Sequence, residues 1–325
     1  MSEKSRWEVP AAQQPRPEDV GFDLKRTLRS IVSLQAEIPE EAFTAPILGA
    51  ERAGSGIVIS ESGLVLTIGY LVTEAEHVWL KGANGAVVPA HPIGIDTETG
   101  FGLVQALGSL DLPALAFGSS KDVDIGDPVV LAGGGGVAQA VQAHIVAKEE
   151  FAGYWEYFVD QALFTAPAHP LWGGAGLIGG DGRLLGVGSL HVQQSSGRGE
   201  TEDVNMIVPI DLLPPILDDL MKYGRVNRPP RPWLGVYSTE SNDRVVVADV
   251  TEDGPAGLAG MRTGDVIAAV RDKAVETLAD FYRALWACGP AGVEIPIEIV
   301  RDERNVWLRV KSADRASFLK KPRMN

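Results

Sequence analysis

The chain has 325 residues, of which 45% are hydrophobic and 22% charged, and its formal net charge is −14 at pH 7. That length exceeds what one hydrophobic core usually supports, so two domains are expected. The negative charge repels polyphosphate, so a nucleic-acid partner is not expected. The 37 glycines and 21 prolines favour short strands joined by tight turns over a helical bundle.

The ends of the chain are polar. Residues 1–21 are rich in proline, contain no apolar segment and are expected to be a disordered tail. Residues 313–325 are expected to be a solvated basic tail, with Arg315, Lys320, Lys321 and Arg323. Since no stretch approaches the roughly 18 apolar residues of a membrane-spanning helix, we expect a cytoplasmic protein without a membrane partner. No Cys/His metal spacing occurs, so neither a metal nor a cofactor is expected.

The first domain begins with a predicted helix over Asp23–Leu34, whose leucines and isoleucine recur at helical spacing. From Gly54 onward, short apolar runs are bounded by glycine, proline, asparagine or aspartate, which is typical of an antiparallel barrel or sandwich. The predicted strands cover 56–60, 63–68, 77–80, 86–90, 102–107, 127–132, 183–190 and 204–210.

A helix is predicted after the last of these strands. Asp211 is its expected N-cap, the two prolines that follow fall in its first turn, and Gly224 ends it. The proline-rich segment 225–231 has restricted backbone angles and is therefore expected to be a stiff linker between two domains.

A small mixed module follows the linker. One helix is predicted to begin at Thr277, with Asp280 completing a capping box, and to end at Gly289. The predicted strands cover 233–238, 244–250, 265–270, 294–300 and 305–310.

Several motifs in fixed order carry a resemblance to a known family. They are Ala53–Ile59 with Gly63–Thr67, Phe117–Ser120 with Ile125–Val130, Asp181–Val187, Met206–Ile210 with Lys222–Val226, Trp233–Val236, Gly254–Gly260 and Thr263–Ile267. Together they resemble the HtrA/Deg family of trypsin-like serine proteases. The resemblance implies a mainly β chain, with a chymotrypsin-like double β-barrel over 22–224 and a small α/β PDZ domain over 232–312.

The resemblance also assigns three catalytic positions, and the chain departs from the family at each. Tyr70 stands where the general-base histidine is expected, Gly100 where the orienting aspartate is expected, and Gly173 where the serine is expected. A phenol with a pKa near 10 is a poor base, and glycine has no nucleophile. We therefore expect a pseudoprotease that is not an enzyme.

The PDZ resemblance implies a peptide-binding groove. A partner's C-terminus would add as a strand, with its carboxylate bound by amides of the preceding loop. The expected binding residues are Trp233, Leu234, Gly235 and Val236, with Phe281 and Leu285 lining the pocket. Two alternatives remain open, namely a groove filled by the protein's own core or linker, and Trp233 as an ordinary core aromatic.

The function expected from this sequence is a scaffold, or a subunit of a larger complex, that binds protein or peptide C-termini. Two alternatives are a hydrolase with relocated catalytic residues and a holdase-like chaperone. Tyr70, Leu171 and Trp172 could either fill the former cleft or form an apolar binding face. Trimerisation could use residues 22–47, through Phe22, Leu24, Ile31 and Phe43, unless that segment folds onto its own barrel.

Overall fold

A computed structural model describes residues 7–195 and 201–320. The chain divides into two compact units, and the division does not fall at the linker alone, because the second unit also includes residues Glu150–Asp160. The first contains Met1–Glu149, Gln161–Val226 and Lys320–Asn325, and the second contains Glu150–Asp160 and Asn227–Leu319. The predicted mainly β fold is confirmed, because the sheets are two closed barrels and one open sheet.

The first barrel is closed and antiparallel, with strand order β1-β2-β3-β6-β5-β4. Its strands are β1 Ile31–Glu37, β2 Glu51–Val58, β3 Leu64–Ile68, β4 His77–Lys81, β5 Val87–Ile95 and β6 Phe101–Ala106. The predicted helix over 23–34 is wrong in its second half, since helix α1 covers only Leu24–Leu28. Leu34 instead pairs with Gly54 on one side and Leu80 on the other, so strand pairing outweighs the helical spacing of the sequence.

The second barrel has strand order β10-β11-β12-β9-β8-β7. Its strands are β7 Pro128–Ala132, β8 Ala140–Gly153, β9 Tyr157–Ala166, β10 Gly176–Ile178, β11 Leu184–Ser195 and β12 Thr201–Pro209. Strands β8 and β9 form a long hairpin that the sequence analysis did not predict. A short helix α2, Ala45–Leu48, lies between β1 and β2.

The segment before the barrels is packed rather than disordered in its described part. Val9 is 2% exposed within the core of the second barrel, and its amide donates to the Ala138 carbonyl at 2.9 Å. Residues 1–6, which share that expectation, lie outside the described residues. Leu24 and Ile31 are also buried within the chain itself, so neither is free to form a trimer contact.

The helix after the barrels, α3, covers Pro214–Tyr223 and ends at Gly224, whose φ of 72° is left-handed. Asp211 is not its N-cap, because it lies in a preceding 3-10 turn. The Asp211 carboxylate instead accepts a hydrogen bond from the Ser120 amide at 2.6 Å.

The second unit contains a sheet of order β13-β14-β15-β17-β18, with β16 paired to β15. Its elements are β13 Val236–Glu240, β14 Val245–Val250, α4 Pro255–Leu258, β15 Val266–Val270, β16 Lys273–Ala274, α5 Leu278–Trp286, β17 Glu294–Arg301 and β18 Arg304–Lys311. The predicted capping box is confirmed, because Thr277 and Asp280 exchange side-chain to backbone hydrogen bonds at the start of α5.

The segment after β18 packs against the second unit instead of forming a solvated tail. Trp233 exchanges backbone hydrogen bonds with Ala313, and the rings of Trp233 and Phe318 lie 4.8 Å apart. Lys321 and Arg323 lie outside the described residues. Within the described part of the chain, every helix is too short or too polar to cross a bilayer.

Candidate functional site

The three positions expected to carry a catalytic triad lie close together. A Cβ atom placed on Gly173 would be 2.9 Å from the hydroxyl oxygen of Tyr70. Gly100 is held beside the residue before Tyr70, since the Gly69 amide donates to the Gly100 carbonyl at 2.6 Å. The sequence resemblance therefore placed these positions at one site.

A turn built by Asp96 positions Gly100. The Asp96 carboxylate accepts hydrogen bonds from the Thr99 amide at 2.9 Å and from the Thr99 hydroxyl at 2.8 Å. Gly100 has a φ of 84°, a left-handed conformation that favours glycine. At this position the turn thus presents backbone in place of a carboxylate.

The loop before Gly173 uses its polar groups internally. The Leu171 amide, which lies two residues before the serine position, donates to Nδ1 of His169 at 2.9 Å. Nε2 of His169 lies 3.0 Å from the Gln139 carbonyl, so the neutral ring donates from Nε2 and accepts at Nδ1. Burial lowers the pKa of His169. This amide is therefore not available to stabilise an oxyanion, and the imidazole is fully hydrogen-bonded.

Tyr70 acts as a hydrogen-bond donor at this site. Its hydroxyl donates to the Ser189 carbonyl at 2.9 Å. Burial raises the pKa of Tyr70, against the opposing effect of a hydrogen bond with Trp172, so the phenol remains protonated at neutral pH. Neither the side chain at position 70 nor those at 100 and 173 can supply a general base or an attacking oxygen.

Trp172 and Leu171, the two large side chains before Gly173, differ in their exposure to solvent. The Trp172 ring stacks on His191, with centroids 5.4 Å apart, while Leu171 remains 49% exposed. His191 also lies 3.7 Å from the Asp203 carboxylate. Among the described residues, no group of three His, Cys, Asp or Glu side chains has the arrangement of a metal site.

The second candidate site is a set of backbone amides at the start of β13. The amides of Leu234, Gly235 and Val236 donate to one carboxylate, that of Glu156, at 3.1, 2.7 and 3.0 Å from its Oε1 atom. We call these three amides the carboxylate cradle. Glu156 lies at the tip of the β8–β9 hairpin and is 8% exposed.

The same hairpin continues along the edge of β13. The Ser238 amide donates to the Tyr154 carbonyl at 2.9 Å. Amides of Val236 and Ser238 are two residues apart and therefore point to the same side of the strand, away from the residues paired with β14. The tip of the hairpin thus lies where an added strand would pair.

Helix α5 contacts the hairpin tip through the hydroxyl of Tyr282. Phe281 and Leu285, expected to line the pocket, are fully buried in the core of the unit. The hydroxyl of Tyr282 instead donates to the Gly153 carbonyl at 2.5 Å and accepts from the Glu156 amide at 3.2 Å.

Aromatic packing holds the end of the hairpin tip. The Phe158 ring lies edge-on to Trp286 at 6.3 Å, and the Arg283 guanidinium lies 4.8 Å from the centre of the same ring. Phe158 is part of the buried cluster of the second unit. Trp233, predicted as a binding residue, is buried and packs against Phe318.

Burial dominates the electrostatics of Glu156. It raises the pKa of this carboxyl group to about 7, although the cradle amides and the charge of Arg315 act to lower it. When a carboxylate is buried, amide hydrogen bonds to it offset part of the free-energy cost of removing its charge from water. The three amides therefore stabilise a carboxylate here, while burial opposes its charge.

The sequence analysis missed the hairpin tip. Its signal was a run of aromatic residues around one glycine and one acid, Gly153–Phe158, which matches neither helical nor strand periodicity. Glu156 adopts a φ of 59°, and no residue-type preference predicts glutamate in that conformation.

Comparison with known families defines the class of protein. The model of the trypsin-like peptidase domain matches residues 54–187, and the model of the PDZ domain matches residues 232–311. These matches and the two barrels define a trypsin-like peptidase fold joined to a PDZ domain. The matches to both domains and to DegP-like relatives support the HtrA-type family that the sequence resemblance implied.

Curated relatives and solved structures agree with this assignment. A probable periplasmic serine endoprotease, DegP-like, of Pseudomonas fluorescens is 29% identical over 276 residues, which are 80% of this chain and 56% of that protein. Its counterpart in Rickettsia conorii is 27% identical over 79% of this chain and 53% of that protein. The chain thus spans about half the length of the curated relatives it matches.

The solved structures share the fold. The HtrA-type protease AlgW with a decapeptide is 21% identical, with a TM-score of 0.53, 92% of this chain covered and 98% of that chain. The serine endoprotease from Yersinia pestis is 22% identical, with a TM-score of 0.51, 90% of this chain covered and 96% of that chain.

Two predictions are contradicted by these relatives. We expected no enzyme because the triad positions are degenerate, but the relatives are named serine endoproteases, which points to protease activity. We expected a cytoplasmic location because no apolar leader is visible, but the relatives are named periplasmic. The absence of such a feature does not decide where a protein works.

Proposed function

We propose that this chain binds protein partners by their C-terminal carboxylates, through the carboxylate cradle of its PDZ domain, and so acts as a peptide-binding component of a complex. The observation that carries the proposal is the convergence of the Leu234, Gly235 and Val236 amides on one carboxylate oxygen. Three donors fixed by backbone geometry recognise a carboxylate with little loss of conformational entropy.

Further support comes from the edge of β13 and from the solved relatives. The outward amides of β13 can pair with an extended peptide, which supplies affinity along the backbone. Structures of the HtrA-type protease AlgW contain a tripeptide or a decapeptide. Peptide recognition by this chain would need the same two elements, an acceptor for the cradle and a backbone for the strand edge.

The test uses the full chain with Glu156→Ala, which leaves the cradle amides without their internal acceptor. The probe is a fluorescent decapeptide library with free C-terminal carboxylates, and the control library carries C-terminal amides. We expect binding of the carboxylate library at least about tenfold tighter, because a charge-assisted hydrogen bond contributes about 1.5–3 kcal/mol. Equal binding of the two libraries, or binding of neither, would contradict the proposal.

A second candidate function is proteolysis, which is favoured by the names of the curated relatives. Since positions 70, 100 and 173 offer no nucleophile, such activity would use groups elsewhere in the chain. This candidate predicts cleavage of unfolded casein by the purified protein, and labelling by a fluorophosphonate if the nucleophile is a serine. Absence of casein cleavage at high enzyme concentration would exclude it.

A further inference from the structure

The tip of the β8–β9 hairpin imitates a bound peptide in three respects. The Glu156 carboxylate lies in the cradle, the Tyr154 carbonyl pairs with the free edge of β13, and Phe158 packs against α5. An extended ligand would use the same three surfaces. This match is more than incidental contact, because all three belong to six consecutive residues.

We propose that the segment Gly153–Phe158 is an internal ligand that closes the peptide groove, so that a partner binds only after this segment has left. The inference rests on the proposed carboxylate recognition, since it concerns the regulation of that same site. The amide donors of the cradle and the Ser238 amide donor at the β13 edge are all engaged by the tip, so an incoming C-terminus finds no free donor among these amides.

The contacts of the tip explain how the closed state is held. Tyr282 bridges two points of the tip through one hydroxyl, as donor to Gly153 and as acceptor from Glu156. An ion pair joins Glu150, at the base of the tip, to Arg283 on α5. That pair is about half exposed on both sides, so it contributes little and the buried contacts dominate.

The same contacts explain how the closed state can open. The hairpin is covalently part of the chain, so its effective concentration at the groove is high, yet a peptide with more contacts can displace it. Displacement exchanges one carboxylate for another at the cradle and one strand for another at β13. Because the exchange conserves these hydrogen bonds, a peptide must bind the groove more tightly than the tip does in order to displace it. The tip therefore does not block the groove permanently.

The experiment compares peptide binding by the wild-type chain, by Glu156→Ala and by Asp160→Ala. Asp160 lies on the same hairpin, is also acidic and is exposed, so its replacement removes an acidic side chain without opening the cradle. We expect Glu156→Ala to bind the carboxylate library about tenfold tighter than the wild type does, as expected for the loss of one charged acceptor. The Asp160→Ala variant should match the wild type.

The outcomes separate this inference from the function on which it rests. Equal, carboxylate-dependent binding by wild type and Glu156→Ala would overturn the internal ligand and leave the proposed function intact. Absence of binding in every form would overturn the proposed function.

The closed state then has its own measurement, amide hydrogen exchange at Leu234, Gly235 and Val236. These amides should exchange slowly in the wild type and faster in Glu156→Ala. Fast exchange in the wild type would show that the tip does not occupy the cradle. The milder Glu156→Gln, which keeps the shape of the side chain, covers the case in which Glu156→Ala does not fold, and it should give an intermediate exchange rate.

Discussion

The site around Tyr70, Gly100 and Gly173, which we call the seam, and the groove of the PDZ domain are both filled by residues that are distant in sequence from what they contact. The two differ in the element that carries the filling residue, which is a short turn between barrel strands at the seam and the tip of a long hairpin at the groove. At the seam, the Tyr70 hydroxyl lies against Gly173, and the Gly173 carbonyl accepts a hydrogen bond from the Ser55 amide at 2.8 Å. At the groove, Glu156 reaches amides 78 to 80 residues further along the chain.

The difference determines which filling can be reversed. Tyr70 lies in a short turn between two barrel strands, so its side chain can leave the seam only if the barrel around it unfolds. A hairpin tip can leave by local opening, because the strands behind it stay paired. The seam is therefore a fixed feature of the fold, and the groove is one with two states.

The largest expected effect tests the fixed seam. Gly173→Ser should destabilise the chain by about 1–3 kcal/mol, because the new Cβ would lie 2.9 Å from the Tyr70 hydroxyl. Adding Tyr70→Phe removes that oxygen and should reduce the cost, which a double-mutant cycle of urea unfolding can measure. The control is Gly180→Ser, where no atom lies within 4 Å of the new Cβ. Equal costs at the two glycines would show that the seam is not tightly packed.

A second effect, pH dependence, sharpens the picture of the reversible groove. The pKa of Glu156 is raised from its ordinary value of 4.5 to about 7, so between these values the docked tip binds more protons than the free tip. Docking should therefore weaken as the pH rises through this window and stay constant above it.

The measurable consequence is the docking equilibrium of the tip, read from the protection of the Leu234, Gly235 and Val236 amides against hydrogen exchange, after correction for the pH dependence of exchange itself. The docking constant should fall about fortyfold from pH 5 to pH 7 in the wild type. Burial raises the pKa of Tyr282, whose hydroxyl contacts Glu156, so it stays protonated in this range. Glu156→Gln removes the titrating group, so a pH dependence that persists in this variant would have another origin.

The smallest expected effect concerns the latch between tip and helix. Tyr282→Phe deletes one hydroxyl and with it the hydrogen bonds to Gly153 and Glu156. Docking should weaken by about 1 kcal/mol, and peptide affinity should rise about fivefold. Tyr223→Phe, at a tyrosine that is 50% exposed, is the matched control. No difference between the two variants would mean that the Tyr282 hydroxyl does not hold the tip.

Much of the fold was readable from local patterns. Most of the short barrel strands and the main PDZ strands were predicted, as was the capping box at Thr277 and Asp280, but β1, β8, β9 and β10 were not. The spacing of Leu28, Ile31 and Leu34 led to the wrong prediction of one continuous helix. Leu28 ends a short helix, whereas Ile31 and Leu34 lie in strand β1. Local sequence does not distinguish these cases, since the deciding hydrogen bonds come from β2 and β4.

The candidate sites divide in the same way. The seam could be located by aligning motifs, because each of its positions lies within a recognisable stretch around Tyr70, Gly100 or Gly173. The cradle at Leu234–Val236 could be located for the same reason. Its occupant could not, since the contact between Glu156 and Gly235 depends on the length and twist of a hairpin that the sequence pattern does not reveal. Phe281 and Leu285, predicted to line the pocket, are buried in the core together with Tyr282, and the contact of the Tyr282 hydroxyl with the tip could not be read from the sequence.

The backbone of residue 156 adds a constraint of its own. Its φ of 59° is a conformation that costs a side chain with a Cβ atom about 1–2 kcal/mol and that glycine or asparagine adopts more readily. At this angle, the two methylene groups of Glu156 bring its carboxylate within hydrogen-bond distance of the Leu234–Val236 amides. The hydrogen bonds from the cradle amides to Glu156 therefore hold the backbone of the tip in an unfavourable conformation, which can relax once the carboxylate is released. Substitutions at this position would have to satisfy the angle and the reach together, which leaves very few acceptable residues.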